Sequence, residues 1–207
     1  MKKFAIGCGV LVAFALAALL IVVVAAVADY NHLNSLSQGV NAQWAQVQNV
    51  YQRRADLVPN LVATVSGAAN FEKSTLTEIT AARASVGQVK TDPNHAPGSA
   101  AQLAQFDQAQ GALSSALSRL LVVSERYPDL KASANFRDLQ AQLEGTENRI
   151  AVERGRFNEA VQAYDTAIKS FPSMLYAGAL GFTEKPYFTA TAGADKPPQV
   201  QFDFNKK

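Results

Sequence analysis

The chain has 207 residues with 19 basic and 17 acidic side chains, 48% hydrophobic residues and a single cysteine. The length allows one domain with a real core beyond any targeting segment. The near-neutral charge, with no basic tract, gives no electrostatic footprint for nucleic acid. The lone Cys8 forbids an internal disulfide.

Residues 4–28 carry no charge and no strongly polar side chain, and Lys2 and Lys3 precede them. As a helix this run reaches roughly 38 Å, enough to span a hydrocarbon core of about 30 Å. A retained transmembrane anchor over residues 1–28 is therefore expected, because the run exceeds the apolar core of a signal peptide. Two alternatives stay open. Ala26-Val27-Ala28 offers a small-x-small cleavage site, and Ala5-Ile6-Gly7-Cys8 resembles a lipobox, although almost no apolar stretch precedes it. No Lys or Arg follows the run until Arg53, so the positive-inside rule places the amino end in the cytoplasm of a bacterial inner membrane. The body then lies outside, in the periplasm. Gly9, Ala13 and Ala17 form a small-residue stripe that would let two anchors approach closely.

Residues 29–172 read as a helical body. Leu33, Leu36, Val40, Trp44, Val47 and Tyr51 recur at steps of three and four, the signature of one buried helix face. Leu57, Leu61, Val65, Ala68, Leu76 and Ile79 continue in similar fashion as a second segment. Asp56 could cap its start with Pro59 in the first turn, or one helix runs through and kinks at Pro59. Residues 91–98 hold two prolines and turn formers, a loop. Ser99 and Gln102 then read as a capping box. The next helix buries Leu103, Phe106, Leu113, Leu117, Leu120 and Leu121, and stops near Tyr127-Pro128. The last is the most regular: Phe136, Leu139, Leu143, Ile150, Phe157, Val161, Tyr164, Ile168 and Phe171 share a seam that Pro172 ends. Beyond it, residues 173–207 change character. Residues 187–190 and 200–204 read as extended pieces, a candidate β-hairpin packed on the body or on a neighbour. Tyr187, Phe188, Val200, Phe202 and Phe204 are its candidate oligomer contacts.

No phosphate loop, HExxH pattern or Glu-x-x-His pair occurs, and His32 and His95 stand at no metal-ligand spacing. A non-catalytic protein without metal or cofactor is expected. One polar cluster stands out instead: Arg53, Arg54, Asp56 and Asn60 against Glu147, Asn148, Glu153, Arg154 and Asn158. Glu153 and Arg154 fall where the seam asks for an apolar residue. We expect a partly buried network that fixes helix register, with direct coupling of Arg54 to Glu153 as its test; the alternative is a solvated helix face.

Several stretches carry a resemblance. Tyr30-Asn31 and Trp44 are followed by Arg53-Arg54-Ala55-Asp56-Leu57-Val58-Pro59-Asn60-Leu61-Val62, Phe71-Glu72 and Ala82-Arg83-Ala84. Tyr127-Pro128-Asp129-Leu130-Lys131-Ala132, Asn135-Phe136, Leu139-Gln140, Glu147-Asn148-Arg149-Ile150-Ala151, Arg154 and Phe157-Asn158 come next. Phe171-Pro172, Gly181-Phe182, Tyr187-Phe188 and Pro198-Gln199-Val200-Gln201-Phe202 complete the set. Together they resemble the LemA family over nearly the whole chain, departing at Ala55 and Phe157, where the family often has tyrosine. The resemblance implies an all-α protein: an amino-terminal membrane helix, then an antiparallel four-helix bundle. The family's molecular function is not established, so the resemblance supplies no activity. Some LemA-like proteins are associated with membrane remodelling in magnetosome formation, and the family is often given the opposite orientation, with the bundle inside. The expected role is a self-associating membrane scaffold that organises envelope proteins or membrane. The alternative is an accessory subunit that presents partners to a membrane protease or secretion complex. The expected partners are the lipid bilayer, further copies of the chain and other envelope proteins.

Overall fold

A computed structural model describes residues 2–67, 71–89, 92 and 94–189, with side chains described from residue 13 onward. Five α-helices are present among them: α1 (Lys2–Ser66), α2 (Lys73–Gln88), α3 (Ala100–Ser124), the short α4 (Pro128–Ala132) and α5 (Ala134–Lys169). A 3-10 turn, Ser173–Leu175, follows, and no strand occurs among the described residues.

The apolar run and the first buried face form one helix. α1 is 65 residues long, about 98 Å at 1.5 Å per residue. No proline or glycine interrupts it between residue 10 and residue 38. Its side chains from Ala13 to Ala28 are exposed all round, and this part is long and apolar enough to cross a membrane. From Leu33 onward one face is buried.

α1 also runs through Pro59, so the two segments read around residue 56 are one helix. Asp56 is not a cap. It lies inside the helix and accepts a hydrogen bond from Gln52 Nε2 at 2.7 Å. Pro59 has no N–H to give the carbonyl four residues back, which is that of Ala55. Arg83 of α2 takes the vacancy: its Nε donates to Ala55 O at 3.2 Å. A tertiary contact thus supplies what proline removes. The chain turns after Ser66, so Leu76 and Ile79 belong to α2, while Ala68 lies outside the described residues.

Caps set the later helix starts. Ser99 Oγ accepts from Gln102 N at 3.3 Å, as a capping box requires, but Gln102 Oε1 reaches the N–H of Gly98 at 3.0 Å rather than that of Ser99. Ser133 caps α5 by accepting from Phe136 N at 3.3 Å. α5 stops at Lys169, before Phe171, which stands exposed instead of extending the seam.

Pairings across the helices fix their directions. Asp29, Gln43 and Arg54 of the first helix meet Ser173, Glu153 and Glu147 in turn, so α1 and α5 are antiparallel. Glu72 and Glu78 pair with Arg126 and Arg119, so α2 opposes α3. The core falls into two clusters. One gathers Leu33, Val40, Trp44, Val47 and Tyr51 with Phe106, Ile150, Phe157, Val161, Tyr164 and Phe188. The other gathers Leu57, Val58, Leu61 and Val65 with Ile79, Leu113, Leu117, Leu120, Phe136 and Leu143.

After α5 the chain makes an apolar loop and returns along α5 as an unpaired strap, residues 183–189. Its backbone is held by side chains rather than by a β-ladder. Lys185 N donates to Asp165 Oδ1 at 3.1 Å, and Tyr164 OH donates to Thr183 O at 3.0 Å. The other extended piece, with Val200, Phe202 and Phe204, lies outside the described residues.

Candidate functional site

The strongest concentration of polar chemistry sits where the two core clusters meet. Arg54 follows Tyr51 by one turn on the buried face of α1 and is only 2% exposed. A cation in that position must be paired. Its Nη1 meets Glu147 Oε1 of α5 at 2.9 Å, and its Nη2 reaches Gln110 of α3 at both O (3.0 Å) and Oε1 (2.5 Å). The guanidinium carbon lies 4.9 Å from the Tyr51 ring centroid, within cation–π range. Nε alone is buried without a partner. Glu147 keeps 42% of its side-chain surface in water, so the pair bridges the interior and a cleft.

A second arginine closes that cleft. Arg154 Nη1 bonds Asp107 Oδ1 of α3 at 2.9 Å and approaches Tyr51 OH at 3.5 Å, and Nη2 donates to Thr189 O of the strap at 3.4 Å. Its guanidinium carbon lies 4.4 Å from the centroid of the Phe188 ring. Burial raises the Tyr51 phenol above its ordinary range, while the charges of Arg154 and Arg54 oppose the shift. Asn158 reads the strap backbone twice: Phe188 N donates to Oδ1 at 2.9 Å, and Nδ2 donates to Phe188 O at 2.8 Å. The resulting cleft, of about 760 Å³, is lined by Tyr51, Arg54, Asp107, Glu147, Arg154 and Thr189 among others. Both guanidiniums carry a carboxylate partner. The arrangement ties α1, α3, α5 and the strap into one register.

The residues singled out from sequence divide accordingly. Arg54, Glu147, Arg154 and Asn158 come together. Glu153 does not join Arg54; it accepts from Gln43 Nε2 at 2.6 Å and pairs with Arg156 at 2.9 Å. The expected Arg54–Glu153 coupling is thus replaced by Arg54–Glu147, because Glu147 lies nearly two turns closer to the level of Arg54. Arg53 is exposed and donates to Gln142 Oε1 at 3.0 Å. Asp56, Asn60 and Asn148 are exposed on helix surfaces. Phe188 is 7% exposed, stacks on Trp44 and meets Phe157 edge-on in the core, so it is committed within the chain rather than to a neighbour. Tyr187, Ala13 and Ala17 remain exposed; Gly9 lies outside the residues whose burial is described. Sequence reading missed Gln110, Asp107 and Arg83. Of these only Arg83 stood in a quoted motif, Ala82-Arg83-Ala84, and without an assigned role.

A third polar knot lies where α1 leaves its apolar stretch. Ser173 Oγ donates to Asp29 Oδ2 at 2.8 Å, and Tyr176 OH donates to the same oxygen. The Tyr176 hydrogen bond, then that of Ser173, holds the Asp29 carboxyl below its usual range. Tyr30 meets Phe182 edge-on, with ring centroids 5.6 Å apart.

These features define an all-helical protein whose amino-terminal apolar helix, long enough to cross a membrane, continues into a packed body pinned by the buried Arg54 and the half-buried Arg154. The LemA family model matches residues 43–202, and the chain belongs to that family. It is 32% identical over 95 residues to Magnetosome protein MamQ of Magnetospirillum gryphiswaldense, covering 44% of this chain and 35% of that relative. It is 25% identical over 183 residues to Magnetosome protein MamQ 2 of Paramagnetospirillum magneticum, covering 81% of this chain and 67% of that relative. The chain thus spans about a third of one curated relative and about two thirds of the other.

Proposed function

We propose that this protein is a non-catalytic, membrane-anchored scaffold that self-associates and organises membrane or envelope proteins. The observation that carries the reading is the uninterrupted α1. Whatever tilt or association the anchor adopts is transmitted to the body without a linker. The body acts as an antiparallel four-helix bundle of α1, α2, α3 and α5, with the paired arginines holding register rather than doing chemistry. The similarity to proteins named for the magnetosome supports work at a membrane-bounded structure. The amino end faces the cytoplasm of the inner membrane, by the two leading lysines and the absence of basic residues before Arg53. Self-association would use the Gly9, Ala13 and Ala17 stripe and the exposed Tyr187, together with Val200, Phe202 and Phe204. Light scattering of the full chain in mild detergent tests this: oligomers are expected at micromolar concentration, and a monomer overturns the reading. A second reading, an accessory subunit of a membrane protease or secretion complex, expects hetero-complexes on gentle co-purification.

A further inference from the structure

Residues 170–183, Ser-Phe-Pro-Ser-Met-Leu-Tyr-Ala-Gly-Ala-Leu-Gly-Phe-Thr, form a charge-free stretch bounded by Lys169 and Glu184. In a water-soluble body such a stretch would bury its large side chains. Here four stay outside: Phe171 is 78% exposed, Leu175 72%, Met174 60% and Leu180 49%. They are not scattered singly. All sit in the one loop that Ser173 and Tyr176 fasten to Asp29, the first charged residue after the apolar run. Because α5 runs antiparallel to α1, this loop is the part of the body that reaches furthest back toward the apolar end of α1.

Much of the loop's backbone is also paired within the loop. The N–H groups of Met174, Leu175, Tyr176, Ala177, Leu180, Gly181 and Phe182 all find carbonyl partners inside it. Gly181 has φ +85°, the left-handed turn that lets Phe182 N close back on Ala177 O at 3.0 Å. Backbone that satisfies itself locally is what contact with lipid demands. Its tyrosine keeps the hydroxyl on Asp29, an amphipathic arrangement typical of the interface.

We propose that this loop is a second membrane contact: a foot that sinks Phe171, Met174, Leu175 and Leu180 into the lipid interface beside the exit of α1. The occupant is lipid, because Ser173 and Tyr176 fasten the loop to Asp29, the residue that directly follows the exposed apolar stretch of α1 ending at Ala28. A body touching the bilayer at both anchor and foot has its tilt fixed by two points. This inference rests on the membrane-anchor reading, and its test separates the two.

The full chain, with Cys8→Ser, is placed at one copy per nanodisc of phosphatidylglycerol and phosphatidylcholine containing doxyl-labelled lipid. A fluorophore is attached at Val23→Cys in the anchor, at Leu175→Cys or Met174→Cys in the foot, and at Val152→Cys on α5. The last site is exposed and about 26 Å up the helix from Lys169. Lipid quenching of about two-fold or more is expected at the anchor and at both foot sites, with none at residue 152. If the anchor is quenched while residues 174 and 175 behave like residue 152, the foot is overturned and the anchor stands. If residue 23 itself escapes quenching, the anchor reading fails and the foot with it. If the foot is shielded from water only at two or more copies per disc, its occupant is another copy and the lipid assignment is overturned.

Discussion

The two halves of the core are built by different means. The half nearer the apolar end of α1 is aromatic: Trp44, Tyr51, Phe106, Phe157, Tyr164 and Phe188 share one cluster. The far half is mainly aliphatic, built chiefly on leucine and valine of α1 and α3 with Ile79 of α2 and Leu143 of α5, and holds Phe71 and Phe136 as its buried rings. The aromatic half has a non-helical lid, the strap, and side chains of α5 hold that lid down by its backbone. The aliphatic half relies on direct helix packing with Ser133 at the start of α5. Arg54 stands at the border and ties both to the cleft. Large flat side chains can be pinned by a segment with no secondary structure of its own, whereas the leucine half needs whole helices as neighbours. The apolar end of α1 therefore runs into the more elaborately fastened half first.

The sharpest way to break this contrast is Trp44→Ala. Trp44 is fully buried and packs against Phe106, Phe157 and Phe188, so the loss should be about 3–5 kcal/mol, read by chemical denaturation. The strap should loosen with it, whereas Leu120→Ala in the far half should leave strap protection unchanged at a comparable stability loss. Asn158→Ala comes next. It removes both bonds to Phe188, and a loss of about 2 kcal/mol is expected, with hydrogen exchange faster at residues 185–189 but not in α2 or α3.

At the border, a double-mutant cycle of Arg54→Ala with Glu147→Ala should show coupling of about 1–2 kcal/mol, while the same cycle with Glu153→Ala should be additive. Additivity in both would remove Arg54 as the tie between the halves. The smallest effect is in the pH profile. The folded Asp29 carboxyl is depressed, so its contribution is present above its unfolded value and is lost as pH falls through the folded one. Burial raises Asp165 instead, so its contribution weakens as pH rises through the carboxylate range. Asp29→Asn should flatten the acid limb of a melting-temperature profile, and Asp165→Asn should flatten the decline above it.

Periodicity made much of this core legible in the sequence. Leu33 through Tyr51 is buried on the expected face, and Phe136 through Ile168 lies along the expected seam, because helix packing repeats with the helix itself. Three things it did not decide, for physical reasons. At Pro59 it left open a cap at Asp56 or a helix running through, and the contact that accompanies the second comes from Arg83, 24 positions later, which no local rule of proline contains. The choice of Glu147 over Glu153 for Arg54 is a matter of axial level, and charge sign does not encode level. The strap has no repeat of its own: its partners Asn158, Tyr164 and Asp165 lie 19 to 30 residues back on α5. Phe171 kept the helical period but fell beyond the end of α5, so its periodic position had no helix to express it.

The unbroken α1 also sets an angular phase. Each residue turns a helix by about 100°, so from Ala13 to Leu33 the rotation is roughly 200° beyond whole turns, and from Ala17 it is roughly 160°. Asp29 precedes Leu33 by four residues and shares its side. The small-residue stripe therefore looks away from the body, while the foot lies under it. Two anchors joined through that stripe would stand back to back, with their bodies on opposite outer flanks. One residue inserted between Ala28 and Leu33 would swing the body by about 100° and turn that pair into a skewed one.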